Sequence, residues 1–256
     1  MKTMKMNFRK RNGRAKKTEN VGYIEVKDAM QGSGIEMYIY GDIVSTEWDK
    51  WSDEDRCPQD IADFLAQIDR NADMTIYINS GGGDVFAGIG IYNILKRHTG
   101  HKKGIVDGMA ASIASVILMA CDEIVVASGA QVMIHKPLTI GLGNADDFAQ
   151  IIEQLDKCQQ SITEIYMCKA KEGVTEDEIT EKINAETWMS GAEAAELFDI
   201  SVEEKPAIAA CVSCMMDRYR YKPEGIRTES AEDAEARRTA AEEEAAIIAE
   251  MELCGI

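Results

Sequence analysis

The chain has 256 residues, 45% of them hydrophobic and 29% charged, an ordinary balance for a soluble protein with one core and additional segments. A formal net charge of −17 weighs against nucleic acid or an anionic membrane surface as the main partner. No apolar run is long enough to span a bilayer, and seven irregularly spaced cysteines without an export signal read as reduced cytosolic thiols.

Residues 1–17 carry Lys2, Lys5, Arg9, Lys10, Arg11, Arg14, Lys16 and Lys17 and no acid, and they lack the apolar middle of a signal peptide. We read residues 1–20 as a basic, disordered segment. "IEMYIYGDI" (35–43) alternates and is rich in β formers, so it predicts a strand. "CPQDIADFLAQIDR" (57–70) has helical spacing. "MTIYINS" (74–80) reads as a buried strand broken by "GGGD", followed by a helix over 85–98. A strand and turn (103–109) lead to an apolar helix (112–120). Two short strands follow (123–128, 131–135), then a long helix (144–172) and two shorter ones (176–184, 190–198). Strands alternating with helices imply α/β units with right-handed crossovers. Residues 21–205 form the predicted domain. Residues 206–256 form an acidic, helix-prone tail, in which 229–253 hold nine acids against two arginines. Cys211 and Cys214 have CxxC spacing, but a tetrahedral zinc site needs four ligands and no second pair stands near, so they read as free cysteines.

Three stretches can carry chemistry. "INSGGGDVFAG" (78–88) sets three glycines between a strand and a helix. It fits neither the dinucleotide fingerprint nor the P-loop. A plain turn is its first reading, and backbone N–H groups facing a developing oxyanion are the functional one. In "VDGMAASIASVILMA" (106–120), Ser112 stands at a helix start among small residues. A serine there is commonly an N-cap, but it is also well placed as a nucleophile. Ser115, one turn on, reads as packed in the core. Of three histidines, His98 and His101 lie in the charged stretch "LKRHTGHKK" and read as solvated surface. His135 closes a β-run before Lys136-Pro137, a suitable place for a general base.

"INSGGG", "GMAAS" and "MIHKP", in this order and at this spacing, resemble the proteolytic subunit of the Clp protease, ClpP (peptidase S14), over roughly residues 35–205. The resemblance implies an α/β fold of the ClpP/crotonase type, with repeated ββα units, a helical handle and flexible termini. It assigns Ser112 as nucleophile, His135 as general base, Glu186 as the orienting carboxylate and the Gly83 and Ile113 amides as the oxyanion hole. It implies no cofactor and no metal. Asn184 and Asp199 compete for the third position, because the family places aspartate where Glu186 stands. Gly81 replaces the family's proline, and "LFDIS" (197–201) departs from its usual Tyr-Gly-Leu-Val-Asp.

"NAETWMS" (184–190) looks like the phage-encoded branch, the ClpP-like head maturation proteases that trim capsid or scaffold proteins. The expected protein is thus a serine endopeptidase, ATP-independent or partner-assisted, working in the bacterial cytoplasm or inside a procapsid. The resemblance implies a ring, a heptamer or two stacked heptamers, with the helix at 144–172 packing rings together. Three alternatives stay open: a housekeeping Clp subunit working with an ATPase, a crotonase-fold enzyme acting on acyl-CoA, and a non-catalytic scaffold. A serine–lysine peptidase of signal-peptide-peptidase type fits poorly without a membrane segment.

Overall fold

The computed structural model describes residues 4–10, 19–26 and 34–206. Met4–Lys10 (β1) and Glu19–Val26 (β2) pair antiparallel. They fall partly within the segment read as disordered. The basic composition had hidden an alternation of Met4, Met6 and Phe8 with Lys5, Asn7 and Arg9, which is the period of a strand. The acidic tail beyond Pro206, with Cys211 and Cys214, lies outside the described residues.

The main sheet contains Ile35–Ile43 (β3), Met74–Gly83 (β4), Lys102–Ala111 (β5), Glu123–Ser128 (β6), Gln131–Ile134 (β7), Thr187–Ser190 (β8) and Ser201–Pro206 (β9). Its order is β3-β4-β5-β6-β9, with β7 beside β5 and β8 beside β7. Every pairing is parallel except β7–β8. Helices Pro58–Leu65 (α1), Val85–Lys96 (α2), Ile113–Leu118 (α3), Ala145–Met167 (α4), Glu176–Ala185 (α5) and Gly191–Leu197 (α6) make the connections. The α/β class expected from the sequence is the class observed.

Burial alternates along β3, β4 and the first half of β5. Ile39, Ile76, Ile78 and Val106 are fully buried, and so are Ile91 and Leu95 of α2 and Ile117 and Leu118 of α3. Each such aliphatic side chain contributes about 1.5–3 kcal/mol. The other face is half-buried. There Tyr38 stacks on Tyr77 at 4.9 Å, and the Tyr40 hydroxyl donates to Asp107 Oδ2 at 2.5 Å. Burial, followed by the nearby Asp107 carboxylate, pushes the Tyr40 phenol far above its ordinary range.

Several boundaries differ from the sequence reading. α1 is confined to 58–65, with proline in its first turn, where a missing N–H costs nothing. α4 stops at Met167, before Gly173 turns the chain at a φ of +94°. β4 runs through the glycines to Gly83 instead of breaking at Gly81. β8 and β9 were not anticipated. "TWMS" sits between two helical patterns and is too short to show a period.

β5 changes partners along its length. Lys103–Val106 pair with Glu123–Val126 of β6, whereas Met109–Ala111 pair with Gln131–Met133 of β7. This fork opens the sheet at the carboxyl ends of β4, β5 and β7, the usual place for a site in a parallel sheet.

Candidate active site

Ser112 directly follows β5 and precedes α3. It occupies the N-cap position but makes no capping hydrogen bond, so the ordinary reading of a serine here does not hold. Its backbone has φ +54° and ψ −127°, a conformation disfavoured for any residue with a Cβ. Such strain persists only where surrounding structure imposes it. The Ser112 N–H donates to the Met133 carbonyl at 2.9 Å, which ties the turn to β7.

The side chain points at His135. The distance between His135 Nε2 and Ser112 Oγ is 2.7 Å. The parallel register explains the meeting: Ala111 lies opposite Met133, so the residues following each strand end together at the same edge. His135 is 8% exposed. Burial lowers its basicity below the ordinary histidine value, and the carboxylate of Glu186 partly offsets this. A neutral imidazole at this distance can accept the hydroxyl proton.

Glu186 is brought toward His135 by β8. In the antiparallel β7–β8 pair, Ile134 is opposite Thr187, so the next step of the register faces His135 with Glu186. Glu186 ends α5 in the left-handed region, at φ +53° and ψ 72°. Among the described residues, Ser112 and Glu186 are the two non-glycine residues with positive φ. The competing acids and amides lie elsewhere. Asp199 is exposed, and Asn184 accepts from Gln159 Nε2 at 3.4 Å on the surface. Glu186 is the carboxylate whose charge acts on His135.

The glycine run closes the site from β4. Gly82 has φ +97°, and a Cβ there would stand 2.8 Å from Ser112 Cβ and 3.3 Å from Ile113 N. Gly83, at φ +151°, lies so close to the Ile43 carbonyl that a Cβ would overlap it. Gly88 of α2 packs its bare face on the Ile113 side chain. Ile113, one of the two residues named for the oxyanion hole, thus lies close to Gly82, the chain neighbour of the other, Gly83. The close approach of Gly82 itself was missed, although three consecutive glycines signalled it.

A cleft of about 870 Å³ opens beside this point, lined by Gly83, Phe86, Pro137, Leu138, Ile140 and Ile151, among others. Ile140 and Leu142, in the loop after His135, are 90% and 100% exposed, and Phe148 and Ile152 at the start of α4 are 45% and 60% exposed. Of the other histidines, His101 is exposed as expected, but His98 is buried, with Nε2 2.7 Å from the Ala72 carbonyl. Its charged neighbours misled the reading, since the turn folds the ring back under the chain. Ser115 is buried as expected.

Among the described residues, Glu47, Cys57 and Asp60 form one grouping of metal-type ligands. The Lys50 ammonium sits 2.7 Å from Asp60 and 3.1 Å from Glu47, so a cation is already built into it. Among the described residues no helix is long and apolar enough to cross a membrane.

Comparison with known proteins adds a family. Residues 53–198, more than half of the chain, match the family model "Clp protease" and include Gly83, Ser112, His135 and Glu186. The chain is 34% identical over 140 residues to an ATP-dependent Clp protease proteolytic subunit of Bacteroides fragilis, covering 52% of this chain and 64% of that protein. The corresponding protein of Porphyromonas gingivalis is 31% identical over 135 residues, covering 52% and 60%. Subunit 3 of Rhodococcus jostii is 31% identical over 133 residues, covering 51% and 65%. The aligned stretch therefore spans about six-tenths of these relatives. On the extent of the family match, the chain belongs to the Clp protease family.

Proposed function

We propose that this chain is a serine endopeptidase, with Ser112 as nucleophile, His135 as general base and Glu186 as the carboxylate that orients the imidazole. The observation that carries this reading is the 2.7 Å contact between His135 Nε2 and Ser112 Oγ, made by a serine that forgoes its capping bond. His135 takes the hydroxyl proton as Ser112 Oγ attacks a peptide carbonyl. The amides of Gly83 and Ile113 receive the tetrahedral oxyanion, and the imidazolium then protonates the leaving amine. Water, activated by the same imidazole, hydrolyses the acyl-enzyme. The cleft bordered by Gly83 and Leu138 offers space for a polypeptide segment beside the proposed oxyanion hole. An acyl-CoA enzyme of related fold has no need of this serine–histidine contact.

The finer reading is a phage-type head maturation protease acting on capsid or scaffold proteins, supported by the stretch "NAETWMS" that carries Glu186. A second reading, work with an ATPase, is favoured by the names of the relatives, each an ATP-dependent Clp protease proteolytic subunit. In both readings the chain forms a ring of identical subunits, probed as a heptamer or two stacked heptamers. The exposed Ile140, Leu142, Phe148 and Ile152 support association, since so many large apolar side chains exposed within one short stretch of chain suit an interface.

A fluorophosphonate should add once per chain, as read by intact mass, and not at all to Ser112→Ala. Labelling of Ser112→Ala at another serine overturns the assignment. Capsid protein trimmed on co-expression with the wild type but not with Ser112→Ala supports the phage reading. Degradation only with an added ATPase and ATP supports the second. Sedimentation as a fully active monomer at micromolar concentration overturns the ring.

A further inference from the structure

Ser115 and Tyr166 lie 51 positions apart in the chain, and both are all but inaccessible, at 0% and 1% exposure. The Ser115 hydroxyl donates to the Ser112 carbonyl at 2.6 Å, and the Ser115 N–H donates to the same oxygen at 3.0 Å. Ser115 Oγ also lies 2.8 Å from the Tyr166 hydroxyl. A serine hydroxyl has one proton. Because that proton goes to the Ser112 carbonyl, Tyr166 must donate to Ser115. The result is a directed chain from the last turn of α4, through α3, to the peptide that follows the nucleophile.

That peptide links the Ser112 carbonyl to the Ile113 N–H. The peptide unit is planar and trans, so the two groups point in opposite directions and turn together. Two donors on the carbonyl therefore fix the direction of the Ile113 N–H, which stands beside Gly82 at the edge of the site. Ser112 is held at φ +54°, a backbone that gains by relaxing. Rotation of this peptide changes ψ from −127° toward the better-populated left-handed region at the same φ, and it swings the Ile113 N–H out of the site.

We propose that Ser115, supported by Tyr166, is a positioning residue that aims the Ile113 amide at the oxyanion. The proposal rests on the peptidase reading above. Neither side chain touches substrate, and their effect passes through one peptide plane. The interaction therefore strengthens binding of a tetrahedral species and leaves binding of an uncleaved chain unaltered.

The test uses the full chain, Ser115→Ala and Tyr166→Phe, with a peptide boronate as a tetrahedral mimic and the matching product peptide as a ground-state ligand. Loss of one oxyanion donor costs about 10²–10³ in rate, so a donor that is only misaimed should cost about 10-fold. For Ser115→Ala we expect kcat and boronate affinity to fall about 10-fold, with KM and product-peptide affinity unchanged. Tyr166→Phe keeps the ring and loses one oxygen, so about a 3-fold fall in the same two quantities is expected on the same scale. Equal weakening of both ligands, or unchanged kcat in both variants, overturns the positioning role. If Ser115→Ala fails to fold, Tyr166→Phe decides alone. A wild type inert to fluorophosphonate brings down the peptidase reading and this proposal with it. A wild type that labels, alongside variants that match it, brings down the positioning role alone.

Discussion

The two ends of β5 are both polar and buried, yet they are built on different terms. At the amino end Lys102 is 4% exposed. Its ammonium donates to the carbonyls of His98 at 3.2 Å and Gly100 at 3.0 Å and pairs with Asp122 at 2.9 Å. Burial alone would raise the Asp122 carboxyl, but Lys102 holds it below its ordinary value. Nearby, the His98 ring rests on a backbone carbonyl. Every partner is fixed, and neither Lys102 nor His98 sits on a strained backbone. At the carboxyl end the backbone is strained at Ser112, and the histidine faces a hydroxyl that can be deprotonated. A buried histidine is thus no sign of function by itself. What separates His135 from His98 is a hydroxyl partner able to exchange a proton and a carboxylate whose charge acts on the ring.

Substitutions can break this contrast. The largest effect is expected for Ser112→Ala, whose peptide hydrolysis should fall by roughly 10⁴-fold or more while thermal unfolding stays near that of the wild type. Unfolding of that variant would make the carboxyl end structural after all. Glu186→Gln should lose roughly 10²–10⁴ in acylation rate with folding intact, and Glu186→Asp should lose less. Near-normal acylation by Glu186→Gln, followed by phosphonate mass spectrometry, removes Glu186 from the site.

Gly82→Ala adds a Cβ against Ser112 at φ +97°. It should cost about 1–3 kcal/mol in denaturant unfolding and slow phosphonate labelling. Gly129→Ala, at φ +84° with open space around it, is the matched control and should leave labelling unchanged. At the amino end, Lys102→Met strands the two carbonyls. It should lower stability by about 1–3 kcal/mol while kcat stays within about twofold.

The smallest effect is a shift in pH dependence. His135 must be neutral to act as base, and burial lowers its pKa, so the acid limb of kcat/KM should fall below the ordinary histidine value of 6.5. The Glu186 charge raises that pKa, so the residual activity of Glu186→Gln should titrate lower still. A limb that moves upward contradicts the sign.

Ser112 and His135 were singled out because each stands at the end of an apolar β-run, with small residues or a proline marking the turn, and their proposed roles came from the resemblance of "GMAAS" and "MIHKP" to the family. The class of fold was legible from strands alternating with helices. Glu186 was named only through the family resemblance, with Asn184 and Asp199 as competitors, because its link to His135 depends on the register of β8, a strand of four residues that carries no period of its own. The left-handed backbone at Glu186 was also invisible, since nothing in "NAETWM" announces a turn that glycine would favour. His98 was misplaced because neighbouring lysines and arginines describe the surface of a loop and not the direction of one ring. The bond between Ser115 and Tyr166 spans 51 positions, beyond any local pattern.

Under the proposed assignment, the antiparallel pairing of β8 with β7 also bears on when the site is completed during synthesis of the chain. Strands β5 and β7 leave the ribosome with Ser112 and His135 well before residue 186 has been made, at roughly 5–20 residues per second. A unit that requires Glu186 is therefore incomplete through this interval. Even after the residue emerges, α5 must form and β8 must add to the sheet before the register sets Glu186 opposite His135. If Ser112, His135 and Glu186 act as the proposed triad, the order of elements along the chain acts as a delay, leaving the nascent chain without its third member until the sheet around the site is closed.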